Sequence, residues 1–295
     1  MSRKGLLLFL ATGLAWGLPY FFIRIAAAEF SAPMIVFSRT LVGAAVLIPL
    51  AIKRGVLRET LKAWPYVLTF AVLEMMGPWW LLSTAEGGTP SHINSGLAGL
   101  LIATVPFFGV FISYFYIGDK SVIHPKTLLG LAVGFVGLIL LVGIDSITGA
   151  VEPIWVGAVI LAALGYAIAP AIVSKKIPNV PSEGVISLSM ALVAIVYAVP
   201  ALLNPLANKD AVPSTDGWIS LAVLGVVCSA LAFALFFELI REIGSMRAST
   251  ITYMNTVIAI VLGVTFLAEP LTPGMMIGIP LVILGSYFAT RKHAH

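Results

Sequence analysis

The sequence predicts an all-α integral membrane protein, with ten transmembrane helices forming two inverted five-helix repeats around a central cavity. Three observations carry this expectation. Hydrophobic residues make up 60% of the 295-residue chain against 10% charged, and the mean hydropathy is +1.05, far outside the range of soluble domains. Apolar windows of about 20 residues, the length a bilayer core demands, recur along the whole chain. Basic residues alternate in sidedness from one connection to the next.

The ten windows run near 5–27, 33–52, 64–84, 93–116, 127–144, 153–173, 184–203, 217–240, 246–267 and 273–290. The first follows Arg3 and Lys4 and ends near Ala26-Ala27-Ala28, which resembles a secretory leader. Its apolar run is about 19 residues against about 7–15 for a signal core, so it is read as a span. The second holds Arg39. The third holds Glu74 and a Gly77-Pro78 break followed by Trp79 and Trp80. Pro106 lies in the fourth, Gly130 and Gly134 in the fifth, Tyr166 and Pro170 in the sixth. The seventh carries Pro200, the eighth the single cysteine Cys228, the ninth Tyr253 and Asn255, and the tenth Pro280. One cysteine excludes a disulfide within the chain. The proline breaks are tolerated where protein or a cavity satisfies the backbone again, and the glycine spacings Gly13-x-x-x-Gly17 and Gly130-x-x-x-Gly134 let helices approach closely.

Charge then fixes the orientation. With the N-terminus inside, 14 of the 17 Lys and Arg residues fall in inside connections, Lys209 alone in an outside one, and Arg24 and Arg39 within or at the end of spans. Cytoplasmic connections are the ones enriched in Lys and Arg, so both termini are expected in the cytoplasm. The net charge of +4 is thereby topology rather than a mark of an acidic partner such as nucleic acid.

The second half echoes the first at an offset near 150: Trp16 matches Tyr166, Pro106 matches Thr256, and Asp119 matches Glu269. Gly130 and Gly137 match Gly278 and Gly285. A duplicated five-span unit, 1–150 and 151–295, must insert in opposite orientations because five is odd. Inverted repeats of this kind are typical of secondary transporters with a substrate site near the midplane.

The stretch ATVPFFGVFISYFYIGDKS at 103–121 and its echo MNTVIAIVLGVTFLAEPLT at 254–272, with Arg39 in VFSRTLVGA and Ala15-Trp16-Gly17, resemble the EamA-type drug/metabolite transporters. The resemblance covers essentially the whole chain. It implies a pseudo-symmetric basket of ten helices exporting small metabolites, most similar to bacterial exporters of aromatic and other hydrophobic amino acids. Asp119 stands where that family usually has glutamate, and Thr256 replaces the second-half proline.

The candidate substrate-binding residues are Trp16, Tyr20, Arg39, Glu74, Trp79, Trp80, Tyr166, Tyr253 and Asn255. At about 1.5 Å rise per residue, Glu74 lies roughly 15 Å and Trp16 roughly 16 Å from the inner ends of their spans, near mid-bilayer. A carboxyl at that depth must be partnered or protonated. It either pairs with Arg39 or meets a substrate ammonium or a proton. Arg39 either stabilises the bundle or grips a substrate carboxylate by charge-assisted hydrogen bonds. The deep aromatics would make a box for apolar rings and cations, whereas Trp64 and Trp218 open spans as interfacial anchors. His92, in an outer loop, reads as solvated.

No metal or other cofactor is expected, since His293 and His295 lack further ligands. Neither H-E-x-x-H, G-x-S-x-G nor a phosphate-cradling loop occurs, which argues against an enzyme. One midplane acid without charge rings or filter loops argues against a channel. The expected partners are a small-molecule substrate, the lipid bilayer and protons, in a monomer or weak dimer. Export of drugs or organic cations coupled to protons is the alternative.

Overall fold

A computed structural model describes residues 2–88, 91–122, 124–147, 152–208, 212–243 and 251–290. The described chain is all-helical, as lipid requires, because a helix satisfies its own backbone polar groups. In order the helices are α1 (Arg3–Ala26), α2 (Ala32–Lys53), the short α3 (Leu57–Lys62), and α4, composed of Trp64–Phe70, a π-helical turn Ala71–Met76 and Gly77–Ala85. Then come α5 (Ser95–Ile102, restarting as Val105–Ile112 and ending in the π turn Ser113–Ile117), α6 (Pro125–Ile147), α7 (Pro153–Lys176) and α8 (Ser182–Leu203). Next is α9, composed of Thr215–Gly225, a third π turn Val226–Leu231 and Ala232–Ile243, followed by α10 (Ile251–Phe266) and α11 (Pro273–Thr290).

Among the described residues seven helices are long and apolar enough to cross a membrane, namely α1, α2, α4, α5, α7, α8 and α9. Shorter apolar stretches lie in α6, α10 and α11, at Pro125–Leu140, Met254–Phe266 and Pro273–Gly285. Local chemistry sets the ends. Ser2, Ser31, Asn94 and Ser214 cap α1, α2, α5 and α9, each side chain accepting from a backbone N–H three residues on, which relieves an orphan donor. Proline in the first turn of α2 and of α7 costs no hydrogen bond.

The helices pair across the chain: α6 lies along α11 and α2 along α8, α1 packs on α9 and α10, and α7 packs on α4 and α5. The buried core runs through these seams, with Phe30, Ile35, Met75, Leu97, Leu101, Met190 and Leu224 fully buried. Large apolar side chains such as Leu7, Phe115, Ile195 and Leu203 cover the outside, as a lipid-facing surface should. Gly13 and Gly17 do let helices approach: a Cβ on either would strike Met254 or Ile258 of α10.

One end of the bundle is closed by polar contacts between connections. Ser31 N donates to Pro205 O at 3.0 Å and Ala207 N to Glu29 O at 2.8 Å, and the Ser214 hydroxyl donates to the Glu29 carboxylate at 2.6 Å. The Glu269 carboxylate accepts from Ser95 N, Ser95 Oγ and Gly96 N at 2.7–3.3 Å, an anion on the start of α5, where the helix dipole favours it. At the other end Arg54 and Arg241 each pair with both Glu183 and Glu238, tying α2, α8 and α9 together. Thr256 has taken a different role from its counterpart proline. Its hydroxyl donates to Gly99 O at 3.1 Å from an unbroken α10, whereas Pro106 sits where α5 restarts.

Candidate functional site

In α4 and in α9 the α-helical hydrogen-bond ladder gives way at mid-length to a π turn. In α4 the π turn Ala71–Met76 precedes Pro78 by two residues. A proline has no N–H and its ring clashes with the carbonyl four residues back, here that of Glu74, so the ladder reforms around an inserted residue. Neighbours take up the loosened backbone: the Tyr197 hydroxyl donates to Met76 O at 2.9 Å. Leu73 O lies so close to α7 that a Cβ on Gly165 would sit 2.4 Å from it. In α9 the π turn Val226–Leu231 is bridged by its own side chain, Ser229 Oγ donating to Leu224 O at 2.9 Å.

A cavity of about 830 Å³ is lined by Glu74 of the α4 turn and by Ile102 and Val105, which flank the break in α5. Trp16, Tyr20, Arg39, Glu74, Trp79, Tyr166 and Asn255 all line it, so seven of the nine residues singled out from the sequence converge. Trp80 is not among the lining residues and is 42% exposed: on an α-helical turn, adjacent side chains point about 100° apart, and Trp79 takes the inward position. The Tyr253 side chain lies outside the described residues. Phe70, Phe233, Phe236 and Phe237 add apolar walls that sequence reasoning missed. They sit in apolar runs where nothing distinguishes a cavity wall from packing. The cavity extends to Asn179 in the α7–α8 connection and to Ser182 and Glu183 in the first turn of α8, at the end carrying the Arg54 and Arg241 pairs.

The wall is ordered around aromatic rings. Trp16 meets Phe233 edge to face at 5.2 Å and Phe236 at 4.6 Å between ring centroids. The Arg39 guanidinium, 4% exposed, lies 3.9 Å over the Trp79 ring and donates through Nε to Ser229 Oγ at 3.4 Å. Arg39 is thus held by an indole and a hydroxyl rather than by Glu74. Glu74 Oε2 is buried with no hydrogen-bond partner. The Asn255 side-chain amide lies 3.1 Å from Ile251 O and from Gly13 O, and with its nitrogen turned toward these two acceptors it donates to both and fastens α10 to α1. Chemically, the cavity offers flat apolar faces, one fixed cation and one carboxyl with unspent acceptor capacity.

Two residues away from the cavity differ from expectation or went unnoticed. His92 is not simply solvated: its ring stacks on Trp155 at 4.0 Å. Glu86, one residue past α4, is fully buried with neither carboxylate oxygen hydrogen-bonded. Its only trace in the sequence is an acid between the apolar run ending at Ala85 and Gly87-Gly88. Among the described residues no group of three or more His, Cys, Asp or Glu could hold a metal ion.

Comparison with known proteins converges on one family. Residues 3–143 and again 153–291 match the EamA-like transporter family. The uncharacterized inner membrane transporter YedA of Escherichia coli K12 is 25% identical over 291 residues, covering 94% of this chain and 90% of YedA. The uncharacterized transporter YvbV of Bacillus subtilis is 25% identical over 273 residues, 90% of this chain and 85% of the relative. A WAT1-related protein of Arabidopsis thaliana, At4g08300, is 29% identical over 106 residues, 33% of this chain and 28% of its own. A solved crystal structure aligns over 98% of both chains with a TM-score of 0.59 and 21% identity, a likeness of fold.

Proposed function

We propose that this chain, which belongs to the EamA-like transporter family, exports aromatic or other hydrophobic amino acids by alternating access through the cavity just described. A multi-pass membrane transporter is the established part. The substrate, the inverted repeat and the orientation are proposals.

The observation that carries the substrate class is the pairing of opposite chemistries in one aromatic cavity. Arg39 is a buried guanidinium fixed over Trp79, suited to a carboxylate, and Glu74 offers an oxygen with no partner, suited to an ammonium. Between them the Trp16, Tyr20 and Tyr166 rings accept an apolar side chain. A volume of about 830 Å³ falls in the usual range of small-molecule sites. An organic cation would find Glu74 but would also face the fixed charge of Arg39, so a zwitterion fits better.

Two five-helix halves, 1–150 and 151–295, are supported by the doubled family match and by the packing, in which α1 on α9 and α10 is mirrored by α7 on α4 and α5. The π turns beginning at Ala71 and Val226 have the same length and mirror one another in α4 and α9. In the proposed orientation the Arg54, Glu183 and Arg241 end is cytoplasmic, by the excess of Lys and Arg in its connections, and the cavity opens toward the cytoplasm. The inner membrane is the proposed location, as for YedA by name. A single bundle already encloses the cavity, which supports a monomer or weak dimer.

The test is counterflow in proteoliposomes with labelled L-phenylalanine and L-methionine, challenged by unlabelled amino acids and by tetraphenylphosphonium. Exchange inhibited by aromatic and aliphatic amino acids is expected, with Trp16→Ala weakening it while folded yield holds. Inhibition by the cation alone would replace this reading with drug export.

A further inference from the structure

We propose that Glu86 is a proton-binding site that couples the pH on the outer side to the conformational equilibrium of the transporter. The inference rests on the alternating-access reading but not on any particular substrate.

Glu86 lies on the closed side of the cavity. Its side chain is 0% exposed and both carboxylate oxygens lack a hydrogen-bond partner. The α4–α5 connection folds over it, with Ile93 N donating to Ala85 O and His92 N to Gly87 O, both at 3.1 Å, and with Ile93 only 2% exposed. The charged and titratable groups facing it are Arg24 and Tyr20 from α1, Arg39 from α2 and Glu269 from the α10–α11 connection. None of them neutralises it. Arg39 is engaged by Trp79 and Ser229, and Glu269 is a like charge already committed to the start of α5. Burial pushes the Glu86 carboxyl well above the usual carboxylate range, Glu269 adds to this, and Arg24 and Arg39 work against it.

An unpaired carboxylate shut away from water is too costly to keep ionised and takes up a proton instead. Glu86 lines neither the central cavity nor the cleft beside Glu29 and Glu269, and a fully buried side chain has room for a proton rather than for an organic cation. Opening the outer end would return Glu86 to water, where the proton leaves and the carboxylate is hydrated. Closure therefore binds one proton and opening releases it. By linkage, each pH unit over which Glu86 is protonated when closed and ionised when open shifts the closed-to-open ratio about tenfold.

The experiment needs no substrate. Spin labels at Val212→Cys and Leu271→Cys, in a Cys228→Ala background, report the outer-end distance in nanodiscs across a pH series. Both positions lie in outer connections and are exposed. The expected result is a closed population that falls as pH rises, a dependence abolished by Glu86→Gln, which stays closed. A slope surviving in Glu86→Gln would overturn the proposal and assign the proton elsewhere. Should Glu86→Gln fail to fold, infrared spectra of Glu74→Gln protein carrying 13C-labelled glutamate decide: a protonated glutamate carboxyl band at neutral pH is expected, and its absence refutes the site. If counterflow fails but the slope behaves as stated, the substrate reading is wrong and the proton site stands.

Discussion

Gly165 is where the site depends most tightly on its scaffold, and a single methyl group tests that dependence. A Cβ there would lie 2.4 Å from Leu73 O and 3.2 Å from Pro78 Cγ. Ordinary contact begins at 3.4 Å, so α7 and the π turn of α4 must separate by about 1 Å to admit it. The carbonyl cannot swing aside as a side chain would, because it belongs to the backbone that holds Glu74. Overpacking of this kind costs about 1–3 kcal/mol, a large share of the margin by which a protein stays folded. Alanine also gains about 1 kcal/mol over glycine in a helix, which would mask part of the effect.

Gly157 on the same helix removes that ambiguity, since a Cβ there meets nothing within 4 Å. Gly157→Ala takes the propensity gain with no clash. Thermal unfolding of the two purified variants in one detergent should place Gly165→Ala below Gly157→Ala by the overpacking cost. Counterflow should fall at least tenfold in Gly165→Ala, because Tyr166 and Glu74 are displaced together, and stay at the wild-type level in Gly157→Ala. Equal melting temperatures and equal transport would refute the claim that the π turn is pinned by α7.

Two further predictions concern single contacts. Arg39→Lys keeps the charge but not the planar group stacked on Trp79 with Nε on Ser229, and the two cations are not interchangeable at such a site; counterflow should drop by at least an order of magnitude while folded yield, read by size exclusion, holds. Tyr197→Phe removes the donor to Met76 O and leaves a backbone acceptor at the π turn unsatisfied, a loss of about 1–3 kcal/mol that should appear as a lower unfolding temperature; unchanged melting would show that water replaces the hydroxyl.

Legibility differed by residue according to what kind of constraint each obeyed. The helices stand within a few residues of the apolar windows, because lipid punishes unsatisfied backbone and leaves a strong compositional mark. Trp16, Glu74 and Tyr166 were legible for the same reason, being costly groups at mid-span depth. The partner of Arg39 was not: depth and charge suggested Glu74, whereas a guanidinium is equally satisfied by an indole face and a hydroxyl on distant helices. Glu86 escaped notice because an acid at the end of an apolar run reads as a residue in the headgroup layer, and only the folded connection above it makes it buried.

The π turns show how one geometry can be reached by two chemistries of unequal visibility. In α4 the sequence announces a break through Gly77-Pro78, and the expectation of a bend there is near the mark, although the distortion centres on Ala71–Met76. In α9 there is no proline from Thr215 to Ile243, yet a π turn of equal length forms at Val226–Leu231. There Ser229 donates to the carbonyl five residues back and accepts from Arg39. Proline is therefore sufficient for the break but not its purpose. An α-helix at this depth would commit every carbonyl to its own ladder; a π turn loosens the ladder where neighbours can use it, as Tyr197 does at Met76 and Arg39 does through Ser229. Counted from the start of each turn, Glu74 and Ser229 are both the fourth residue. On that reading one turn anchors the cation and the other presents an acid with one oxygen unpartnered. On the proposed repeat the cavity becomes chemically two-ended in this way, which is what the proposed zwitterionic substrate requires.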